Sequence, residues 1–445
     1  IWVDKDTAFT WESTVSGGPG KQFVKTGESG LTSPITASGT STATYKTQYH
    51  VTFDQTGLDG TATGTVLTID SVTKAKGDLP YTDWFDSTIT YDFSDPVSSS
   101  VSGKRFSLTD VTGTFAPDGT VTGNYHTEYH VTFDQTGLTD ATGTVVTIGG
   151  SAKTKGDLPL TDWFDSGTTY SYEDVVASLT AGRRFKLIDV TGPTSPIGES
   201  GTVSGNYKTQ YQVTFKATGL DADADGLVLK LDTDGDGAYD TDLYRASLVG
   251  AGFSFWVDAT MQTVKYEYQS PVSSSVAGKQ YLWDSTSSSG TTPAVSGSSG
   301  TFTVAEAASV TGSYVTQWQV TFKQTGLGSD ATGTVVTIDV GNDGFDDYIK
   351  DYAGLGATGF SFWVDSGTDI KYTYTNPVTS STPNTQYWLQ SITGPASVVT
   401  VTSKTDITGN YVQLPYSAVT TSSLCPFDTD KNPATGQQFN LLFTR

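Results

Sequence analysis

Variants of the segment Tyr45-Lys-Thr-Gln-Tyr-His-Val-Thr-Phe53 recur along the chain, and they indicate its architecture. The segment's alternation of polar residues with aromatic or β-branched ones has a period of two, which is typical of a half-buried β-strand. Self-similarity at a regular interval indicates a tandem array of one structural unit. Further copies begin at Tyr125, Tyr207 and Tyr314, and a divergent one begins at Tyr411, so the leading tyrosines are 80, 82, 107 and 97 residues apart.

A second signature, Trp-Phe/Val-Asp, lies later in every unit and is followed by an alternating aromatic strand. A strand that opens with a basic or polar pair and an aromatic residue comes next, as in Lys104-Arg-Phe106. We interpret the recurring Trp as a core anchor, because its ring buries a large apolar area on a half-buried strand. The signature occurs at Trp2–Asp4, Trp84–Asp86, Trp163–Asp165, Trp256–Asp258 and Trp363–Asp365.

The spacing of strands and turns predicts the fold class. Strand-like alternation, turn residues roughly every ten positions and no sustained helical period indicate an all-β protein. Units of this length suit antiparallel β-sandwiches resembling immunoglobulin domains. We therefore predict tandem immunoglobulin-like antiparallel β-sandwich repeats, with a split, complementary domain at the two termini. The predicted units are 1–44 (second half of a repeat, strand acceptor), 45–124, 125–206, 207–313 (with a calcium-loop-like insertion), 314–410 and 411–445 (first half of a repeat, donor strands).

The charge and composition exclude several classes of function. Lys and Arg number 25 against 47 Asp and Glu, so the formal net charge is −22, which argues against binding nucleic acid or an anionic membrane. With three His and one Cys, His-based catalysis, His-rich metal sites and an internal disulfide framework are disfavoured. No stretch approaches the about 20 apolar residues of a membrane span. Because the chain begins at Ile1 rather than Met, we expect an extracellular or cell-surface protein, secreted with its leader removed.

The two ends of the chain match different halves of the unit. Residues 1–44 match only a second half, and 411–445 match a divergent first half, in which Ala434–Phe443 resembles Ala331–Ile338. A sandwich without two of its strands exposes its core and an edge, so we expect one end to complete the other. Pairing within a chain gives a ring-like monomer, pairing between chains gives an open head-to-tail filament, and trimmed ends give neither. The residues expected at this contact are Trp2, Phe9, Trp11, Phe23, Tyr411, Val412, Leu414, Phe439, Leu441, Leu442 and Phe443.

One acidic loop in the third unit has the pattern of a cation site. Carboxylates at alternate positions around a glycine turn converge hard oxygen ligands, as Ca²⁺ requires. No helix pattern flanks the loop and no Glu stands at its twelfth position, so a solvated acidic hairpin turn is the alternative. The predicted ligands are Asp232, Asp234, Asp236 and Asp240, with the carbonyl group of Ala238; a degraded copy in the fourth unit has Asp339, Asp343 and Asp347.

Four motifs of the repeats carry a family resemblance, and they are Tyr314–Phe322, Phe255–Asp258, Ser270–Ser275 and Val121–Tyr125. They are similar to motifs of archaeal cell-surface and extracellular filament proteins built of immunoglobulin-like β-sandwich repeats. The resemblance implies a wall, appendage or surface-layer component, and filaments of such modules join by donor-strand exchange.

No phosphate-binding loop, zinc spacing or nucleophile elbow is found, so we predict no enzymatic activity. The predicted function is that of a secreted structural subunit whose partner is another copy of itself, head to tail. The alternatives are a monomeric adhesin or carbohydrate-binding protein that recognises surface glycans, and a noncatalytic fragment of a larger secreted hydrolase.

Overall fold

The computed structural model of the chain describes residues 1–259 and 262–415. Within them, regular structure is almost entirely β-strand, arranged as four sandwich repeats preceded by an N-terminal segment (residues 1–45). The all-β, immunoglobulin-like fold class is thus confirmed, whereas the split domain at the two termini stays a prediction. The sandwiches are not purely antiparallel as predicted, because residues 119–124 pair in parallel with residues 51–56 and the later repeats contain the same pairing. Two four-residue helices in the third and fourth repeats were not predicted, because their length is too short to give a helical period. In the described part of the chain, no helix is both long and apolar enough to cross a membrane.

The strands are numbered in chain order. The N-terminal segment contains β1 (Thr14–Ser16) and β2 (Lys21–Gly30). The first repeat contains β3 (Ser41–Thr56), β4 (Ala62–Thr63), β5 (Leu67–Ile69), β6 (Val72–Lys74), β7 (Tyr81–Asp86), β8 (Tyr91–Phe93), β9 (Val97–Ser99) and β10 (Lys104–Gly113). The second contains β11 (Gly119–Thr136), β12 (Ala141–Thr142), β13 (Thr144–Ile148), β14 (Ser151–Thr154), β15 (Leu160–Asp165), β16 (Tyr170–Tyr172), β17 (Val175–Ser178) and β18 (Arg183–Thr191).

The later repeats follow the same order with longer strands. The third contains β19 (Gly201–Thr218), β20 (Leu227–Asp232), β21 (Thr241–Tyr244), α1 (Arg245–Leu248), β22 (Phe253–Asp258), β23 (Val264–Tyr268), β24 (Val272–Ser273) and β25 (Lys279–Thr292). The fourth contains β26 (Ser299–Thr325), β27 (Ala331–Thr332), β28 (Val336–Val340), β29 (Tyr348–Lys350), α2 (Tyr352–Leu355), β30 (Phe360–Asp365), β31 (Asp369–Tyr374), β32 (Val378–Ser380), β33 (Thr385–Thr393) and β34 (Val399–Thr400). The last described strand is β35 (Thr405–Pro415).

Each repeat is a sandwich of a larger and a smaller sheet. In the first repeat, the larger sheet has the order β4-β9-β10-β11-β3-β7, and the smaller sheet has the order β6-β5-β8. Alternate residues of both sheets point inward, as expected for facing sheets. Their core includes Val51, Phe53, Val66, Leu67 and Phe106, all fully buried.

The long strands join consecutive repeats without a linker. The first part of β11, residues 119–124, pairs in parallel with residues 51–56 of β3, inside the first repeat. Its last part, residues 128–133, pairs with β15 of the second repeat. The same parallel pairing links β19 to β11, β26 to β19 and β35 to β26. The predicted unit boundaries at 124/125, 206/207 and 313/314 therefore fall inside strands.

The recurring Trp is not the core anchor that we predicted. Trp84 is 36% exposed on the outer face, where its ring lies 5.2 Å from that of His50. The next residue, Phe85, points into the core instead. Because successive residues of a strand face opposite sides, only one of two adjacent aromatic residues can be internal. In this repeat the internal one is Phe85.

Candidate functional site

The N-terminal segment repeats the second half of a sandwich repeat. In both places a short strand and a longer strand form an antiparallel hairpin, β1 with β2 and β9 with β10. The aromatic positions correspond without a gap. Trp2, Phe9 and Trp11 each stand 82 residues before their counterparts, which are Trp84, Tyr91 and Phe93.

The outer edge of β1 differs from its counterparts in the repeats. The corresponding edge of β9 pairs with β4, with Ala62 opposite Ser99 and Thr63 opposite Ser98. The edges of β17 and β32 pair with β12 and β27 in the same way. Among residues 1–259 and 262–415, no strand pairs with this edge of β1. It therefore presents unpaired N–H and C=O groups to which a further strand can add.

Side chains that are buried in the repeats are accessible in the N-terminal segment. Phe93 is 5% exposed, whereas Trp11 at the same position is 37% exposed. Phe106 is fully buried, but its counterpart Phe23 is only half-buried. Trp2 is fully exposed, although its counterpart Trp84 is already 36% exposed in the first repeat. An apolar groove with a volume of about 890 Å³ results, and its lining includes Trp2, Phe9, Trp11, Leu31 and Ile35.

Local hydrogen bonds fix the lining of this groove. The backbone N–H of Asp6 donates to the carbonyl oxygen of Ile35 at 2.8 Å, and the N–H of Ile35 donates to that of Thr7 at 2.9 Å. The indole Nε1–H of Trp11 donates to the hydroxyl oxygen of Ser41 at 3.1 Å. A surface that is already ordered loses less conformational entropy when a partner binds.

The leading tyrosines show what the N-terminal segment lacks. The hydroxyl of Tyr125 lies 3.0 Å from the carbonyl oxygen of Ser94 and 3.4 Å from that of Val66, which precedes β5. Burial raises the pKa of this Tyr125 hydroxyl to about 12. The hydroxyl of Tyr45 donates to the carbonyl oxygen of Glu12, the counterpart of Ser94, at 2.7 Å. In the described part of the chain, no group takes the place of the Val66 carbonyl beside Tyr45.

The other predicted contact residues lie on or beyond β35. Tyr411 is not at an exposed contact, because its hydroxyl lies 2.9 Å from the carbonyl oxygen of Thr375 and its ring is buried in the core of the fourth repeat. A leading tyrosine completes the repeat before it, as Tyr125 does. Val412 is half-buried and Leu414 is exposed. The remaining four, Phe439, Leu441, Leu442 and Phe443, lie outside the described residues.

The acidic loop of the third repeat brings three of the predicted ligands together. Asp232, Asp234 and Asp240 each place a carboxylate oxygen within 4.8 Å of the others. The buried Asp232 accepts hydrogen bonds of 2.7 Å from two backbone N–H groups, those of Gly235 and Gly237. Its carboxylate therefore also shapes the turn, as the first Asp of an Asx-type loop does.

The remaining residues of the loop are arranged differently. Asp236 is not part of the carboxylate cluster; it accepts a hydrogen bond of 2.8 Å from the N–H of Ala238. The ammonium group of Lys265 donates to the carbonyl oxygen of Gly237 at 2.9 Å, which places one positive charge beside the loop. The calcium site remains a prediction.

The degraded copy of the loop shares its turn geometry. Asp339 is buried and accepts hydrogen bonds of 3.0 Å from the N–H groups of Asp343 and Gly344. Asp347 accepts one of 2.7 Å from the N–H of Val340. The first Asp of both loops thus has the same structural role.

The junctions between repeats contain contacts that the sequence did not reveal. The guanidinium of Arg105, in the first repeat, lies 4.3 Å from the ring centre of Trp163, in the second. Arg184 and Trp256 make the same contact one junction later. Such cation–π contacts add an attraction between neighbouring repeats. The sequence signal for these contacts was the Trp signature, but we had interpreted its Trp as a core residue.

Comparison with known proteins gives distant structural likenesses only. No protein-family model matches the chain. No curated protein matches it either. Among solved structures, the Bacillus anthracis TIE protein is similar over 93% of this chain and 73% of its own, with 8% identity and a TM-score of 0.23.

Two further likenesses are to pilus proteins. The pilus adhesin SpaC from Lactobacillus rhamnosus GG, in its open conformation, matches 81% of this chain with 12% identity and a TM-score of 0.21. This chain covers 55% of the length of SpaC. A streptococcal ancillary pilin matches 63% of this chain and 98% of its own, with 11% identity and a TM-score of 0.17. At these TM-scores the likenesses imply no shared assembly or ligand.

Proposed function

We propose that this protein is an extracellular structural subunit that polymerises head to tail by strand complementation. Residues 416–445 of one copy fill the groove of the N-terminal segment of the next copy. The observation that carries the proposal is the open edge of β1 beside an apolar groove, at the place where every repeat holds its own first-half strands. A strand added there pairs the free backbone groups and covers the aromatic side chains.

The internal repeat gives the register of the incoming strand. When Ala434 is placed at the position of Ala62, Phe439 and Leu441 take the positions of Leu67 and Ile69. In the first repeat, Leu67 pairs with Phe93 and Ile69 pairs with Tyr91. Phe439 is therefore set opposite Trp11, and Leu441 opposite Phe9. Both incoming side chains occupy positions that are buried in the repeats.

The arrangement of the repeats favours a partner in another copy. Six-residue parallel pairings and uninterrupted strands join consecutive repeats, so the described junctions contain no hinge at which the chain could fold back. Four repeats separate the groove from the end of β35. A contact between different surfaces of identical subunits that does not close into a ring gives an open filament.

The decisive experiment is electron microscopy and light scattering of the full chain and of residues 1–415. We expect fibres from the full chain and monomers from the shortened one, whose far-ultraviolet circular dichroism should remain that of a folded β-sheet protein. A peptide of residues 416–445, added in excess, should shorten the fibres. A full chain that remains monomeric at high concentration contradicts the proposal and favours a monomeric adhesin.

Point variants provide the matched control. Leu441→Asp places a charge at a position that is buried in the repeats, so it should abolish fibres. Asn440→Asp, on the opposite face of the same strand, should leave them intact. Equal effects of the two variants would contradict the register.

A further inference from the structure

A basic residue opens the second hairpin strand of the first three repeats. These residues are Lys104 at the start of β10, Arg183 at the start of β18 and Lys279 at the start of β25. Each lies over the aromatic ring two residues later, with Lys104 and Lys279 both 5.0 Å from the ring centre. The position is therefore the same in all three repeats.

The first half of the same repeat supplies an acid to each of these bases. Lys104 pairs with Asp59, Arg183 pairs with Asp140, and the ammonium of Lys279 lies 3.0 Å from a carboxylate oxygen of Asp223. The side chains of Lys104 and Lys279 are only 9% and 8% exposed. Each pair thus connects the two halves of its repeat.

The fourth repeat lacks the base but keeps the acid. Thr385 stands where the others have Lys or Arg, and Asp330 accepts hydrogen bonds from Tyr387, Ser380 and Thr382 instead. The carboxylate position of the first half is therefore occupied in all four repeats.

Lys21 is the counterpart of these bases in the N-terminal segment. It opens β2, it is half-buried, and its ammonium lies 5.1 Å from the ring centre of Phe23. Among residues 1–259 and 262–415, no carboxylate forms an ion pair with it. In the repeats that carboxylate comes from the half that the N-terminal segment does not contain.

We infer that Lys21 recognises a carboxylate of the incoming strand and that Asp430 provides it. The inference rests on the proposed function and names the residues that set its specificity. Asp59 precedes Ala62 by three residues, and Asp430 precedes Ala434 by four. Pro433 stands immediately before Ala434, where the second, third and fourth repeats have Asp140, Asp223 and Asp330 directly before an alanine. Asp430 is the acid nearest to Ala434 in the sequence of residues 416–445, and its spacing is closest to that of Asp59 in the first repeat.

This ion pair fixes the register of the contact. A strand that slips by one residue turns its apolar side chains to the wrong face. The slip also removes the carboxylate from the ammonium of the half-buried Lys21, which leaves that charge without compensation. The pair therefore selects one alignment of the incoming strand and disfavours the others.

The test is the critical concentration for fibre formation by the full chain, measured by sedimentation. Lys21→Met and Asp430→Asn should each raise it about tenfold, because each leaves one charge unpaired at the contact. Lys25→Met is the matched control, since it removes the same charge from β2 but its partner, Glu28, lies in the same segment. The exchange Lys21→Asp with Asp430→Lys should restore the wild-type value, which a purely structural role would not do.

The outcomes separate this inference from the proposed function. If the unaltered chain forms no fibres, the proposed function fails and the inference fails with it. If the unaltered chain forms fibres and both single variants assemble at the wild-type concentration, only the inference is overturned. An effect of Lys21→Met without one of Asp430→Asn overturns Asp430 as the partner.

Discussion

The hydroxyl of Tyr314 lies 2.9 Å from the main-chain carbonyl oxygen of Gln269, although Tyr314 is on β26 of the fourth repeat and Gln269 belongs to the third. The ring of Tyr314 is buried in the core of the third repeat. Each repeat is therefore completed by the leading tyrosine of the one that follows.

Removing this hydroxyl should destabilise the third repeat. We expect Tyr314→Phe to lower its free energy of unfolding by about 1 kcal/mol, because buried carbonyl groups lose a donor. Tyr45→Phe is the control, since Tyr45 is only partly buried and its hydroxyl has one carbonyl acceptor among the described residues. Denaturant unfolding of both variants measures the difference. A Tyr45 variant that loses as much stability as the Tyr314 variant would contradict this account.

The glycine of each Thr-Gly-Leu turn also contacts the next leading tyrosine. A Cβ at Gly326 would overlap the carbonyl oxygen of Tyr411, and Gly326 has a φ of 82°. Gly326→Ala should therefore cost more than about 2 kcal/mol of unfolding free energy. Gly341 has a φ of 97° but open space around it, so Gly341→Ala should cost only about 1 kcal/mol. Equal losses in denaturant unfolding would mean that the close approach has no energetic effect.

The predicted calcium site can be tested by calorimetric titration of the full chain. If the loop binds Ca²⁺, the unaltered chain should release or absorb heat, and Asp234→Asn with Asp240→Asn should remove that signal. Asp232 is left in place because it holds the turn. Asp343→Asn in the fourth repeat is the control for a general loss of charge. Absence of both a binding heat and a change in thermal unfolding with Ca²⁺ would exclude the site.

The ion pairs between the halves of a repeat give a defined pH dependence. The hydrogen bond from Lys104, with those from Thr61, lowers the pKa of the Asp59 carboxyl from 3.8 to about 2. A pKa that is lower in the folded state stabilises the fold above about pH 4, and this stabilisation is lost as the pH falls toward 2. The midpoint temperature of thermal unfolding should accordingly fall less between pH 6 and pH 2 for Asp59→Asn than for the unaltered chain. An equal loss would show that this pair does not contribute.

The all-β fold could be predicted from the sequence, because strand alternation and turn glycines agree in every repeat. The limits of each folded repeat could not be predicted, since a tandem sequence has no intrinsic beginning. Only the structure shows that Tyr125 belongs to the core before it. The Thr-Gly-Asn-Tyr motif also contains Gly123, which is inside β11 rather than at a break. Its missing side chain makes room for the ring of Phe93.

Only part of the candidate site could be predicted from the sequence. The aromatic residues of the N-terminal segment could be identified because they recur at fixed offsets from the first repeat. The orientation of Trp84 could not, because alternation distinguishes two faces of a strand but not which face is internal. That Lys21 has no ion-pair partner among the described residues became apparent only from the ion pair between Lys104 and Asp59, whose residues are 45 positions apart in the sequence.

The strands shared between repeats determine how the protein responds to a pulling force. Tension applied along the chain passes from one sandwich to the next through the covalent backbone of β11, β19 and β26. At each junction it loads a six-residue parallel pairing lengthwise, so that several hydrogen bonds must yield together rather than one after another. Extraction of a strand also pulls a buried tyrosine out of the neighbouring core. The array should therefore resist stretching as one continuous unit, unlike a chain of domains joined by flexible linkers.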